Sequence, residues 1–351
     1  MNLKIFIAIV FLSLSSIFLI NSVFAQTSDD IMHVAIRVEG HVHTIDIPIS
    51  KILFKVLPHY DANGVSTYNT IEPRPDMKSF YSQVGFSSPS DKTVFVYPIF
   101  TQAAYGHLGF YDFYRKTCDA GCLTVPIPDQ ILGGYSSSFQ AAVVLKLLNY
   151  SQITDIDIDK NPDILKKYDR VIILHNEYVT KKEFDAITAH PGVIFLFPNA
   201  LYAKVKVDYD KNTITLVQGH GYPNSNFTNG FDWKYDNSKN EFDVECNDLN
   251  FHKKSNYTFL NCYPNYRMLY DKQLLTLLHS EDPTDLKNDI SNWLRYSDDK
   301  YVRAVLADYN LQGNHIPNWV QQDAIRVLNR DLDDDKFRDI LVYLADNLII
   351  R

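Results

Sequence analysis

Apolar and polar positions along the chain follow two different rhythms. From Val34 to Ile49 they alternate around Gly40, the pattern of a β-hairpin. The stretch from Pro58 to Lys92 is rich in Pro, Ser and Asn and predicts loop with little regular structure. At Thr93 the rhythm changes. Thr93 to Phe100 is a buried-strand run, Ser136 to Leu148 has helical spacing, Ile153 to Ile158 predicts a short strand, and Pro162 to Lys167 a short helix. Val171 to Leu174 is the next strand. Thr180, with Glu183 three residues on, caps a helix that runs through Ala189, and Val193 to Phe197 is another strand. Strands alternating with helices predict an α/β fold with a parallel sheet covered on both faces.

Beyond Leu201 the pattern returns to hairpins. Val205 to Tyr209 and Thr213 to Val217 flank Asp210, Lys211 and Asn212, and loops rich in Asn, Tyr and Cys extend to Tyr270. From Asp285 the spacing is helical. Trp319, Val320, Ala324 and Val327 fall on one face of a helix, and Phe337, Ile340, Leu341 and Leu344 on a face of the next, so the two should pack as a helical hairpin. The expected organisation is a signal peptide at 1–25, a hairpin and loop-rich segment at 26–92, an α/β domain at 93–280 and a helical module at 281–351.

The N-terminus carries Lys4, an apolar run from Ile5 to Ile20, and Val23, Phe24 and Ala25 in a small-x-small arrangement. That predicts a secretory signal cleaved after Ala25, placing the protein outside the cell or on its surface with no membrane span after cleavage. An uncleaved anchor is the alternative, because the run is only slightly shorter than the roughly 20 residues of a span. The four cysteines suit an exported protein, and their spacing favours two local disulfides, Cys118 with Cys122 and Cys246 with Cys262. Asn149, Asn226 and Asn256 open sequons compatible with glycosylation. A formal charge of -8 without a basic patch argues against a nucleic-acid partner. Aromatic residues make up 13% of the chain, ample for a large folded core.

Candidate chemistry collects at strand ends, where open α/β sheets bind their ligands. Val171 to Leu174 runs into His175, Asn176, Glu177 and Tyr178; Val193 to Phe197 runs into Pro198 and Asn199; Thr101, Tyr105 and Tyr114 follow the first strand of the sheet. Strand alternation places His175 and Glu177 on one side, about 7 Å apart. Two phenols and a carboxylate are hard ligands suited to a ferric-type ion, which would stabilise the phenolates. Such an ion polarises a carbonyl and activates water, with His175 shuttling a proton and Asn199 orienting the substrate. The chemistry implied is hydrolysis.

Thr101-Gln102-Ala103-Ala104-Tyr105 with Tyr114, the Gly133-Gly134 turn, His175-Asn176-Glu177-Tyr178, and Gly192-Val193 through Asn199-Ala200-Leu201-Tyr202 resemble the C-terminal domain of the N,N-dimethylformamidase large (beta) subunit family. The resemblance implies a class I glutamine amidotransferase-like (flavodoxin-like) fold and a mononuclear iron held by Tyr105, Tyr114 and Glu177, with Tyr111 as a second candidate for the role of Tyr114. It implies His175 and Asn199 as the catalytic pair beside the ion and a small amide as substrate. The chain departs from the family at Val179 and Pro198, where a Trp and a Gly are common, and a further carboxylate of the family's site has only Glu241 and Glu245 as candidates. Cysteine-dependent amidotransferase chemistry is excluded, since no Gly-x-Cys-x-Gly elbow exists.

Ile316-Pro317-Asn318-Trp319-Val320, Ala324, Phe337, Ile340, Tyr343-Leu344 and Ile349-Ile350 resemble a helical module at the ends of archaeal secreted and cell-surface proteins. That implies association with other envelope components, or a self-contained helical cap. Two functions therefore compete: an iron-dependent hydrolase of small amide C–N bonds, and a non-catalytic cell-surface binding or structural protein that keeps the fold.

Overall fold

Alternating residues at the start of the chain pair as expected. β1 (Ile31–Val38) and β2 (His41–Pro48) form an antiparallel hairpin in which Ile31 opposes Pro48 and Val38 opposes His41. The computed structural model describes residues 31–38, 41–60, 66–129, 131, 138–227, 229–231, 233, 251–253, 256–260 and 262–280. The expected signal peptide, the Gly133-Gly134 turn, Glu241, Glu245, Cys246 and the helices beyond Asp285 lie outside the described residues.

The loop expected from Pro58 to Lys92 is corrected. β3 (Phe54–Tyr60) and β4 (Ser66–Pro73) form a second antiparallel hairpin, and α1 (Lys78–Val84) follows it. Pro58 lies inside β3. A two-stranded sheet consists of edge strands alone, the setting in which a strand tolerates proline, so composition concealed the pairing. Both hairpins join the main core: Met32, Ile47, Phe54 and Ile71 pack in one cluster with Phe95, Tyr97, Leu145 and Leu278.

β5 (Thr93–Tyr97) leads into α2 (Ile99–Ala104), α3 (Phe110–Tyr114), β6 (Thr124–Pro126) and α4 (Phe139–Leu147). β7 (Ser151–Thr154), α5 (Asp155–Lys160), β8 (Arg170–Ile173), β9 (Tyr178–Val179), α6 (Lys181–Ala189) and β10 (Val193–Phe195) follow. The remaining elements are β11 (Ala203–Asp208), β12 (Thr213–Gln218), β13 (Phe251–Lys253), β14 (Tyr257–Leu260) and α7 (Lys272–His279).

The principal sheet has the order β13-β14-β10-β8-β5-β7, parallel throughout except for β13 at one edge. Its strands are continuous apolar runs because both faces are covered. Val94 and Val96 of β5 point into one core with Ile158, Leu165 and Ile187. Phe95 and Tyr97 point into the other with Leu145 and Leu274. Each side chain fully removed from water contributes about 1.5–3 kcal/mol.

The strand expected over Ile153 to Ile158 ends at Thr154. Asp155 to Ile158 alternates like a strand, but Thr154 Oγ1 accepts from Asp157 N at 3.3 Å while Asp157 Oδ2 accepts from Thr154 N at 2.8 Å. This reciprocal cap starts α5. The cap expected at Thr180 and Glu183 forms in the same way. The loops expected before Tyr270 also contain β13 and β14, and β14 extends the parallel sheet beside β10. Arg170 reaches the carbonyls of His279 and Ser280, closing the C-terminus of α7 with positive charge where the helix dipole favours it.

A second sheet has the order β6-β12-β11-β9, with β11 and β12 antiparallel as the hairpin pattern predicts. The chain leaves the principal sheet after β8 and enters the second at β9, so residues 174–177 cross between the two. No described helix is long and apolar enough to cross a membrane.

Candidate active site

The order of the parallel strands reverses at β5. The chain proceeds from β5 to β7 on one side, then crosses to β8, β10 and β14 on the other. The crevice at the carboxyl ends of β5 and β8 is therefore the topological switch point, where open α/β sheets bind ligands. The segments that follow these two strands carry Thr101, Tyr105, Tyr111 and Tyr114 on one side, and His175, Asn176 and Glu177 on the other.

Local structure explains how they meet. Asp155 Oδ2 accepts from Phe100 N at 2.8 Å and closes the start of α2. Thr101 Oγ1 accepts from Tyr178 N at 3.2 Å and docks α2 against the crossover from β8. One turn beyond Thr101 stands Tyr105. Gly109 then folds α3 back on α2: a Cβ there would sit 2.6 Å from Ala104 O and in contact with Gly106 O. A side chain at Gly109 would force the two short helices apart and separate Tyr105 from Tyr111.

The crossover is held by backbone bonds. Asn176 O accepts from Leu201 N at 2.8 Å, and Glu177 O accepts from Tyr202 N and Ala203 N, each at 2.9 Å. Leu201 adopts φ 59°, an uncommon left-handed conformation for a branched residue, and it does so at the turn that carries Asn199. His175, Asn176, Glu177, Tyr178 and Asn199 are all buried.

Tyr105 OH donates to Glu177 Oε2 at 2.7 Å, Tyr111 OH donates to the Tyr105 phenolic oxygen at 2.8 Å, and Tyr111 OH lies 3.3 Å from Glu177 Oε1. Four oxygens from three side chains thus occupy one small volume. His175 Nε2 lies 3.4 Å from Glu177 Oε2. The His175 ring stacks on Phe197 with centroids 5.6 Å apart and meets Tyr105 and Tyr263 edge-on, each at 5.8 Å. The Asn199 side chain lies against the imidazole, as expected for two neighbouring strand ends.

Burial lowers the His175 pKa to about 3, with Asn199 opposing the shift. The ring is neutral at pH 7, so its approach to Glu177 is a contact between an imidazole and a carboxyl group rather than an ion pair. Burial raises the Tyr105 and Tyr111 phenols well above their ordinary pKa, and the nearby Glu177 charge adds to the rise. Tyr178 shifts the same way, through burial and then the neighbouring Tyr111 phenol and Glu177. Without a cation these phenols keep their protons.

Of the expected tyrosines, Tyr105 bonds Glu177 directly. Tyr111 does so too, one helical turn before Tyr114. Tyr114 packs edge-on against Tyr111 at 5.7 Å and against His220 at 4.2 Å. His220 is a residue that sequence reasoning missed. It sits at φ 56° between Gly219 and Gly221, and its ring also faces Tyr111 at 5.6 Å and Tyr202 at 5.7 Å. The Gly219-His220-Gly221 triplet after β12 is the signal that could have pointed to it, since paired glycines mark a tight turn.

The donor set suits a hard ion. Ligand oxygens about 2.0–2.1 Å from a six-coordinate ion lie about 2.9 Å apart along an octahedral edge, close to the spacings among Tyr105, Tyr111 and Glu177. Among the described residues no group of three or more His, Cys, Asp or Glu side chains forms a metal-binding cluster. Cys118 and Cys122 form the expected disulfide just after α3. Cys262 is also disulfide-bonded, and its expected partner Cys246 lies outside the described residues. Two sequon amides are used by the fold: Asn149 Nδ2 donates to Phe86 O at 2.7 Å and Asn256 Nδ2 to Thr188 O at 2.7 Å. Asn226 is exposed.

No protein-family model matches the chain, and no curated protein matches it. The functional reading therefore rests on the geometry of this chain.

Proposed function

We propose that the protein is an exported, iron-dependent hydrolase of small amide C–N bonds, built on a class I glutamine amidotransferase-like domain of the N,N-dimethylformamidase type. The strand order around β5 supports the fold. The observation that carries the activity is the convergence of Tyr105, Tyr111 and Glu177 oxygens at the switch point, with separations of 2.7, 2.8 and 3.3 Å.

Tyr105, Glu177 and either Tyr111 or Tyr114 would hold the ion, and the contacts of Tyr111 favour it for the third position. Bound there, an iron ion supplies Lewis acidity toward a carbonyl and lowers the pKa of water. His175, braced by Phe197 and Tyr263, stands beside the carboxylate where it can receive and return a proton. Asn199 presents an amide next to that imidazole and orients the substrate.

One observation favours the second reading, a non-catalytic surface protein that associates with envelope components. Tyr105, Tyr111 and Glu177 satisfy one another by hydrogen bonds without any ion. Elemental analysis separates the two. Stoichiometric iron, together with release of amine from a small amide that stops in Glu177→Ala, supports the hydrolase. Protein that takes up no iron on reconstitution and turns over no amide refutes it.

A further inference from the structure

Asn176 stands between His175 and Glu177 and has no exposed surface. Among the described residues neither Oδ1 nor Nδ2 of its amide meets a hydrogen-bond partner. Its backbone, in contrast, is fully engaged: Asn176 N donates to Leu174 O at 2.8 Å, and Asn176 O accepts from Leu201 N at 2.8 Å. The side chain is thus carried on a rigid support at the switch point, with two donor hydrogens and two acceptor lone pairs unused. On the adjoining strand end, Asn199 is also buried, with its amide against the His175 imidazole. Buried polar groups without partners are rare because each carries a desolvation penalty that a partner removes. Leaving both polar atoms of one buried amide in this state at the end of the sheet points to a ligand.

The inventory restricts that ligand. The Asn176 amide offers one donor group and one acceptor. A group that only accepts hydrogen bonds would satisfy Asn176 Nδ2 and not Oδ1. A planar group with adjacent N–H and C=O could pair with the Asn176 amide at two points. An anion would be repelled by the Glu177 carboxylate next in the chain, so a neutral ligand fits better.

We infer that Asn176 selects a neutral ligand with both an N–H donor and a carbonyl acceptor, a primary or secondary carboxamide, over a fully N-substituted amide. This deepens the hydrolase reading and rests on it for the location of the site. It makes Asn176 a specificity-determining residue.

The test compares acetamide with N,N-dimethylacetamide by ligand-observed NMR titration, on metal-free and iron-loaded protein, for the wild type and Asn176→Leu. Acetamide should bind at least about 10-fold more tightly than its dimethyl analogue to the wild type. In Asn176→Leu the two affinities should become equal. Exchanging an unpartnered amide for an apolar side chain of similar volume should also leave the ligand-free melting temperature unchanged or raise it by about 2–4 °C. Equal affinity of the wild type for both amides, or no binding of acetamide, overturns the inference. So does a fall of more than about 4 °C in Asn176→Leu, since the amide would then serve the fold. The two iron states keep the failures apart. An amide preference in protein that takes up no iron removes the hydrolase reading alone, and iron uptake without a preference removes this inference alone.

Discussion

The phenol of Tyr105 donates to the carboxylate of Glu177 at 2.7 Å across 72 positions of sequence. Each residue reaches that meeting point through a different strand of the principal sheet, Tyr105 after β5 and Glu177 after β8. Tyr111 completes the contact through the turn at Gly109. An oxygen-rich pocket built this way depends on α2, α3 and the crossover from β8 holding their places together.

Tyr111 and Tyr114 should differ in iron affinity. Tyr111→Phe removes an oxygen that touches both Tyr105 and Glu177, so the loss should reach about 100-fold or more, beyond the 10–100-fold typical of groups that only support a ligand. Tyr114→Phe should stay within about 10-fold of the wild type. Iron titration, followed by the visible absorption of the tyrosinate complex, reads both. Equal losses would reinstate Tyr114 as a ligand.

Stability should fall as pH rises through the range in which Asp155 and Glu183 ionise. Both carboxyls are fully buried, and burial raises both above their ordinary pKa, with the Asp155 charge adding to the rise at Glu183. The folded state therefore holds protons that the unfolded state has released. Its advantage is greatest below the ordinary carboxylate pKa and declines as pH climbs toward the folded-state values. Glu183→Gln keeps an oxygen for the Thr180 cap and removes one titrating group. Its melting temperature relative to the wild type should increase from pH 5 to pH 8, and a constant difference would contradict the assignment.

Asp271→Ala should cost about 3–5 kcal/mol in urea denaturation, because it strands a charge. Asp271 has no exposed surface, pairs with Arg267 at 2.7 Å and caps α7 by accepting from Leu274 N at 3.0 Å. Replacing both Arg267 and Asp271 by apolar residues should cost less than Asp271→Ala alone, since no unpaired charge then remains.

Gly219→Ala should destabilise by more than about 1 kcal/mol and disturb the near-ultraviolet circular dichroism of the tyrosine cluster. Gly219 has φ 113°, and an added Cβ would lie 2.9 Å from Ala203 Cα. The turn it supports carries His220 against Tyr114. An unchanged spectrum would show that His220 keeps its position without that glycine.

The sequence by itself determined the alternation of strands and helices from Thr93 onward, because strands covered on both faces are written as apolar runs such as Val94 to Tyr97. It also determined the hairpins of β1 with β2 and β11 with β12, the helix cap at Thr180, the local disulfide, and the polar strand ends that hold His175, Glu177 and Asn199. These are local properties: burial, periodicity and short-range hydrogen bonds act within a few residues. Tertiary structure decided where local signals conflicted or fell silent. A capping box overrode the alternating Asp155 to Ile158, and edge pairing admitted Pro58 into β3. Above all, tertiary structure decided that Tyr111 bonds Glu177, that His220 packs on Tyr114, and that the Asn176 amide is buried without a partner. Those facts depend on strand order and on the return of α3 over α2, and no periodicity in the chain encodes the distance between residues brought together from different strands.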